Sequence, residues 1–178
     1  MEAEGLELPS AIAAVMLLIL TGCRLNEIMT LKWEYVDLDA GVLNLPDSKT
    51  GAKTVYLGPA IDTLRRLPRL PGNPWMIYGI KTGGRLIDLQ PFWQRLRARA
   101  RLKDARIHDL RHTFASAAVA AGQGLPMIGK LLGHTQVATT ARYAHLAADP
   151  VKAAADHVLT AIARSILGEG QEKAAVNE

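Results

Sequence analysis

The chain has 178 residues, 49% of them hydrophobic, enough to pack one domain of ordinary size. Its longest uncharged apolar stretch, Ala11 to Leu20, is half of the ~20 residues that cross a membrane, no basic leader or cleavage site marks a signal peptide, and the lone Cys23 excludes an internal disulfide framework; a cytoplasmic protein with no membrane partner is expected. The formal net charge of +4 hides an uneven distribution: residues 51–113 hold thirteen lysines and arginines against four aspartates, a basic segment that suits either a polyanionic partner such as nucleic acid or a solvated basic face.

In chain order, Leu8 to Leu20 predicts a buried helix. Thr21-Gly22 breaks it ahead of a second short helix, Asn26 to Leu31, which puts Arg24 at a helix junction with Glu27 one turn on. Three β-prone runs follow, Tyr35 to Leu38, Val42 to Leu45 and Lys53 to Leu57, parted by Asp39-Ala40-Gly41 and by Asp47-Ser48-Lys49-Thr50-Gly51. They predict a small antiparallel meander whose second turn projects Lys49 away from the sheet. Pro59 to Leu67 reads as a helix with proline in its first turn, and Pro68, Pro71, Gly72 and Pro74 mark an irregular crossing. A basic helix from about Leu89 to Arg101 precedes a buried one, Asp109 to Ala121, apolar at Leu110, Phe114, Ala117, Ala118 and Ala121, with His108 and Arg111 at its start. Leu125 to Leu132, closed by Gly133, and Thr139 to Leu146 are two more. Asp149-Pro150 caps a final helix with apolar spacing from Val151 to Ile166, and residues 169–178 read as a disordered tail. The expected fold is α+β: predominantly helical, with a small antiparallel three-stranded sheet, in one domain over residues 1–168.

Four separated segments hold polar residues that this pattern does not require: Thr21-Gly22-Cys23-Arg24-Leu25-Asn26-Glu27, Ser48-Lys49-Thr50-Gly51, His108-Asp109-Leu110-Arg111-His112, and Leu132-Gly133-His134 with Tyr143 nine residues on. Together they supply two guanidinium groups, an ammonium, imidazoles and a phenol. That inventory suits phosphoryl transfer without a metal, because charge grows on the non-bridging oxygens of a phosphodiester and arginine forks match those oxygens while staying charged. Singly, each piece has an ordinary structural reading. Arg-x-x-Glu is a surface ion pair, Ser-Lys-Thr-Gly an exposed turn, His108 a helix cap, and a tyrosine near a chain end a packing residue. His108 and His112 have the four-residue spacing of a metal pair but lack the glutamate of a zinc protease motif, and His112 reads as a structural hydrogen-bonder. Cys23 reads as a small buried residue, and Glu27 as a carboxylate that orients another basic group rather than an acid or base.

In order, residue type and spacing, the set from Thr21 to His145 resembles the tyrosine recombinase, or phage integrase, family. The resemblance implies that Arg24 and Arg111 bind the scissile phosphate, that Lys49 protonates the departing 5′ oxygen, and that Tyr143 is the nucleophile. It further implies that His108 positions or deprotonates and that His134 hydrogen-bonds a phosphate oxygen. The product would be a 3′-phosphotyrosyl linkage, whose conserved phosphodiester energy makes a nucleotide cofactor unnecessary. Double-stranded DNA and further recombinase subunits, met through the last helix, are the implied partners. Members carry an N-terminal DNA-binding domain that closes a clamp on the duplex, whereas this chain starts almost at the catalytic domain. Two other readings share the chemistry or the fold: a type IB topoisomerase that relaxes supercoils, and a catalytically silent DNA-binding module. The short lead into Arg24 and the spacing from Leu132-Gly133-His134 to Tyr143 look more like a recombinase, and every reactive position is filled.

Overall fold

The computed structural model describes residues 7–46, 51–146 and 150–167. The first helix, α1 (Pro9–Thr21), starts on a proline whose missing N–H costs nothing in a first turn. It is apolar all round, as a central core helix must be, with Leu17 and Leu18 buried. It stops at Gly22, whose φ of 64° is left-handed, and the Gly22 N–H closes the last turn on the Leu18 carbonyl at 3.1 Å. Arg24 caps α2 (Leu25–Met29), and its backbone N–H donates to the Glu27 carboxylate at 2.8 Å, one half of a capping box.

The expected meander forms in the order β1 (Val36–Asp37), β2 (Val42–Leu45), β3 (Lys53–Tyr56), antiparallel throughout. Register follows burial: Leu43 lies opposite both Val36 and Val55 and is fully buried with Leu45 on the inner face, while Asn44 between them is exposed. The first strand is shorter than its sequence suggests, because Trp33–Tyr35 wind into a 3₁₀ turn. A second 3₁₀ turn, Gly58–Ala60, runs into α3 (Ile61–Arg65). The proline-rich crossing is pinned by isolated bridges, Lys32 to Trp75 and Tyr78 to Arg85.

Helices α4 (Gln90–Arg99), α5 (Ile107–Ala120) and α6 (Leu125–Leu132) match expectation to within a turn. The helix expected over residues 139–146 does not. It divides into α7 (Val137–Ala141) and a 3₁₀ turn at Ala144–Leu146, so Arg142 and Tyr143 lie in the break. Tyr143 is 5% exposed, and burying its large ring bends the chain where neither glycine nor proline announces a stop. The last helix is α8 (Pro150–Leu167), and the tail expected over 169–178 lies outside the described residues. Among the described residues no helix is long and apolar enough to cross a membrane.

Two apolar clusters result. The larger joins α1, α2, the sheet and the crossing to Ile107 and Leu110 at the start of α5. The smaller joins Ala115 and Val119, further along α5, to Ile128 and Leu132 of α6 and to Tyr143. Ala117 and Ala121 of the expected apolar stripe are exposed, because the buried face of α5 moves from Leu110 to Ala115 and Val119 as the helix passes between clusters. The polar constellation gathers along that seam.

Candidate active site

The last carbonyls of an α-helix have no partner within the helix and lie at the negative end of its dipole. Two such ends meet here. α1 ends at Gly22 and α6 at Gly133, with φ of 64° and 68°, a conformation that glycine alone takes without strain. Arg111, buried on α5, donates from Nη1 to the Gly22 carbonyl and from Nη2 to the Leu132 carbonyl, the latter at 2.7 Å. Arg24 donates from Nη2 to the Gly133 carbonyl at 3.1 Å. Two guanidinium groups are therefore anchored side by side on backbone oxygens, Arg111 through two carbonyls and Arg24 through one carbonyl together with a carboxylate. Burial, and then the neighbouring Arg24, push the pKa of Arg111 below the ordinary arginine value, yet a guanidinium stays protonated at any working pH.

The nearest compensating charge is Glu27, whose side chain is 5% exposed. Its Oε1 accepts from Nη1 of Arg24 at 2.9 Å, and its Oε2 accepts from the Arg24 backbone and from Nζ of Lys53, both at 2.8 Å. Burial raises the pKa of this carboxyl, and the bonds from Lys53 and Arg24 more than offset that, so Glu27 titrates below the ordinary carboxylate value. Arg24 and Lys53 pair with this acid, and its charge also acts on Arg111.

Tyr143 closes the other side. Its hydroxyl lies 2.6 Å from Nδ1 of His112, and the ring of His108 stands edge to face on His112 with centroids 4.8 Å apart. Burial pushes the pKa of Tyr143 up, against smaller opposing effects of Arg142 and Arg111, so the phenol holds its proton at neutral pH. Burial, with His112 and Arg111 nearby, pushes that of His108 down. His134 is bonded through Nδ1 to Oγ1 of Thr140 at 2.9 Å. Burial and then the surrounding cations Arg111 and Arg24 lower its pKa to about 4, so it is a neutral imidazole at pH 7. Thr140 reaches it because Gly129 of α6 has no side chain: a Cβ there would stand 3.0 Å from the threonine oxygen.

Arg24, His108, Arg111, His134 and Tyr143 thus line one cavity of about 210 Å³, together with His112, Thr139 and Arg142. Lys49 lies outside the described residues. The cysteine beside Arg24 is buried, which raises its pKa and leaves it a thiol. Among the described residues no group of three or more His, Cys, Asp or Glu is placed to hold a metal, and His108 and His112 make a ring contact with each other. The sequence assigns no task here to Arg142 or Thr140, and offers Lys53 only as the next candidate for the general acid after Lys49. Lys53, at the start of a predicted strand four residues after Lys49, gave no sign of its bond to Glu27, and Thr140 carried no signal at all.

The geometry has counterparts among known proteins. Residues 85–149 match the model of the Phage integrase family. Over 152 residues the chain is 30% identical to the tyrosine recombinase XerD of Pasteurella multocida, a match that covers 79% of this chain and 51% of that protein. The chain spans about half the length of the curated relatives it matches. Its fold superposes on the XerA recombinase crystal structure with a TM-score of 0.63 at 25% identity, covering 88% of this chain and 58% of that one. It also resembles in fold the catalytic domain of bacteriophage HP1 integrase, with a TM-score of 0.61 at 24% identity, covering 81% of this chain and 79% of that domain.

Proposed function

The chain belongs to the tyrosine recombinase, or phage integrase, family, and from that premise we propose that residues 1–168 form a catalytic domain that cuts and rejoins double-stranded DNA at specific sites in the cytoplasm. The observation that supports this best is the convergence of a buried phenol, two backbone-anchored guanidinium groups and a neutral imidazole on one cavity. Arg24 and Arg111 hold the non-bridging oxygens of the scissile phosphate, where their charge counts most as the transition state gains negative charge. With Nδ1 of His134 engaged by Thr140, its Nε2 is the ring atom left to donate to a phosphate oxygen. The phenol oxygen of Tyr143 attacks phosphorus, forming a 3′-phosphotyrosyl bond and releasing a 5′ hydroxyl, with Lys49 supplying the proton to the leaving oxygen. A second strand's 5′ hydroxyl then reverses the step. Positive charge comes from side chains throughout, so cleavage runs in excess chelator.

α8 supports the assembly part of this reading. Val158, Leu159 and Ile162 are 53%, 62% and 49% exposed, an apolar stripe on a helix that follows the nucleophile. Docking of that stripe on a neighbouring subunit bound to the same DNA would cover it.

A nicked suicide duplex tests the reaction. The wild-type chain should leave a covalent adduct on a denaturing gel, Tyr143→Phe should bind the duplex without adduct, and a second duplex with a 5′ hydroxyl should accept the strand. Adduct in the phenylalanine variant would move the nucleophile to Tyr35, Tyr56 or Tyr78 and overturn the assignment. Relaxation of supercoils without strand acceptance would favour topoisomerase action.

A further inference from the structure

Resting on that reading of Tyr143 as the nucleophile, we infer that His112 is the catalytic base that takes the phenol proton as the tyrosine attacks, and returns it when the strand is rejoined. A phenol is a poor nucleophile until its proton leaves, and burial makes this one harder to ionise. The acceptor must therefore lie within hydrogen-bond reach of the hydroxyl. His112 Nδ1 does, at 2.6 Å.

The other bases around the cavity are less well placed. His108 stands one ring further off, against the face or edge of His112 rather than on the phenol. His134 spends Nδ1 on Thr140 and sits among cations that leave it a weak base. Asp109 accepts from the backbone and guanidinium of Arg106 at the start of α5. Position supports the same choice. His112 follows Arg111 directly, and Arg111 is tied to both helix ends, so the base and the phosphate-holding arginine sit on one rigid turn. The edge contact from His108 limits how far the His112 ring can turn. His108 is then a positioning residue for the base.

The step balances without a further reagent. The O–H bond of Tyr143 breaks and its proton passes to Nδ1 of His112. The phenol oxygen bonds to phosphorus, the bond from phosphorus to the 5′ oxygen breaks, and that oxygen leaves with a proton from the general acid. On rejoining, the imidazolium of His112 protonates the departing phenolate.

The test is single-turnover formation of the adduct on the suicide duplex by the full chain. His112→Gln can still accept a hydrogen bond from the tyrosine through its side-chain oxygen but cannot serve as the base, so adduct formation should slow on the order of 10²–10⁴-fold with duplex affinity unchanged. His112→Ala leaves room for a soluble imidazole. Added imidazoles should restore cleavage, and across a substituted series the restored rate should climb with the basicity of the ring. That dependence is a readout that mere space-filling does not move, and rescue also shows that the variant folds. Cleavage by His112→Gln at the wild-type rate, or rescue of His112→Ala indifferent to basicity, overturns the inference while leaving the Tyr143 reading standing. Absence of a Tyr143-dependent adduct in the wild-type chain overturns both.

Discussion

Replacing Glu27 by glutamine keeps the shape of the side chain and removes its charge, which isolates the contribution of the carboxylate that pairs with Arg24 and Lys53 and acts on Arg111. Its carboxylate is 5% exposed, and the side chains of Lys53 and Arg24 are 14% and 25% exposed. Removing one partner of a fully buried ion pair costs about 3–5 kcal/mol, because the other charge is left without compensation. The residual exposure lets water screen part of that, so the expected loss is about 2–4 kcal/mol. For a chain of this length that lowers the melting temperature by roughly 5–15 °C. Glutamine also turns an N–H₂ toward donors on one side, where the carboxylate accepted from all three. Lys53→Met should be milder, since Glu27 keeps both of its bonds from Arg24. In the double variant Glu27→Gln/Lys53→Met the orphaned ammonium is gone, so its loss should be smaller than the two single losses added together. Urea denaturation of the four proteins measures this directly. A Glu27→Gln loss under about 1 kcal/mol, or strict additivity in the double variant, would refute the view that this carboxylate holds the cations in place.

Other outcomes follow from the same geometry. Lys49→Ala should be severely slow on ordinary DNA and near wild type when sulphur replaces the bridging 5′ oxygen, since a thiolate leaves without a proton; Arg111→Ala should stay slow on both, and equal rescue of the two would deny Lys49 its acid role. Gly22→Ala forces a left-handed φ on a residue with a Cβ and drives that atom to 2.6 Å from Phe114, so it should destabilise by more than about 2 kcal/mol in denaturant titrations. His134 has a folded pKa of about 4, below the ordinary imidazole value, so the unfolded chain binds its proton first. Stability should therefore fall as pH drops from about 6.5 toward 4, and His134→Asn should flatten that slope in melts taken across the range. Leu159→Asp, on the exposed stripe of α8, should weaken assembly of subunits on DNA in a sedimentation assay more than it slows single-site cleavage.

Where local chemistry decides structure, the chain could be read directly. Pro126 and Gly133 bracket α6 at the residues that the proline and the left-handed cap dictate, and alternation in Val42–Leu45 gives the face of β2. Where distant packing decides, it could not. Nothing between Thr139 and Leu146 signals that the helix opens at Arg142, because the cause is the burial of Tyr143 against α5 and α6. His112 could be recognised from sequence as a hydrogen-bonder, but its partner is 31 residues away, and only the tertiary fold brings Tyr143 to Nδ1. Glu27 was legible as a carboxylate serving some base, while Lys53, 26 residues on, is supplied by the return of β3. Arg24, His108, Arg111, His134 and Tyr143 could be assembled as a set from their order, types and spacing along the chain, and the fold brings all five to one cavity.

The seam between the two apolar clusters has a mechanical consequence. Besides the continuous backbone of α5 and the packing of Phe114 and Leu132 against Gly22, Arg111 and Arg24 stitch the end of α6 to the end of α1, and the unit bearing Tyr143 adds to that a small apolar cluster of its own. Such a unit opens at lower cost than the larger body, so amide protons in α6 and α7 should exchange with solvent sooner than those in α1. A phosphodiester gripped by both arginines would span the same gap from the outside. DNA would then act as a splint across a joint, slowing exchange in α6 most at the moment the nucleophile must be held still.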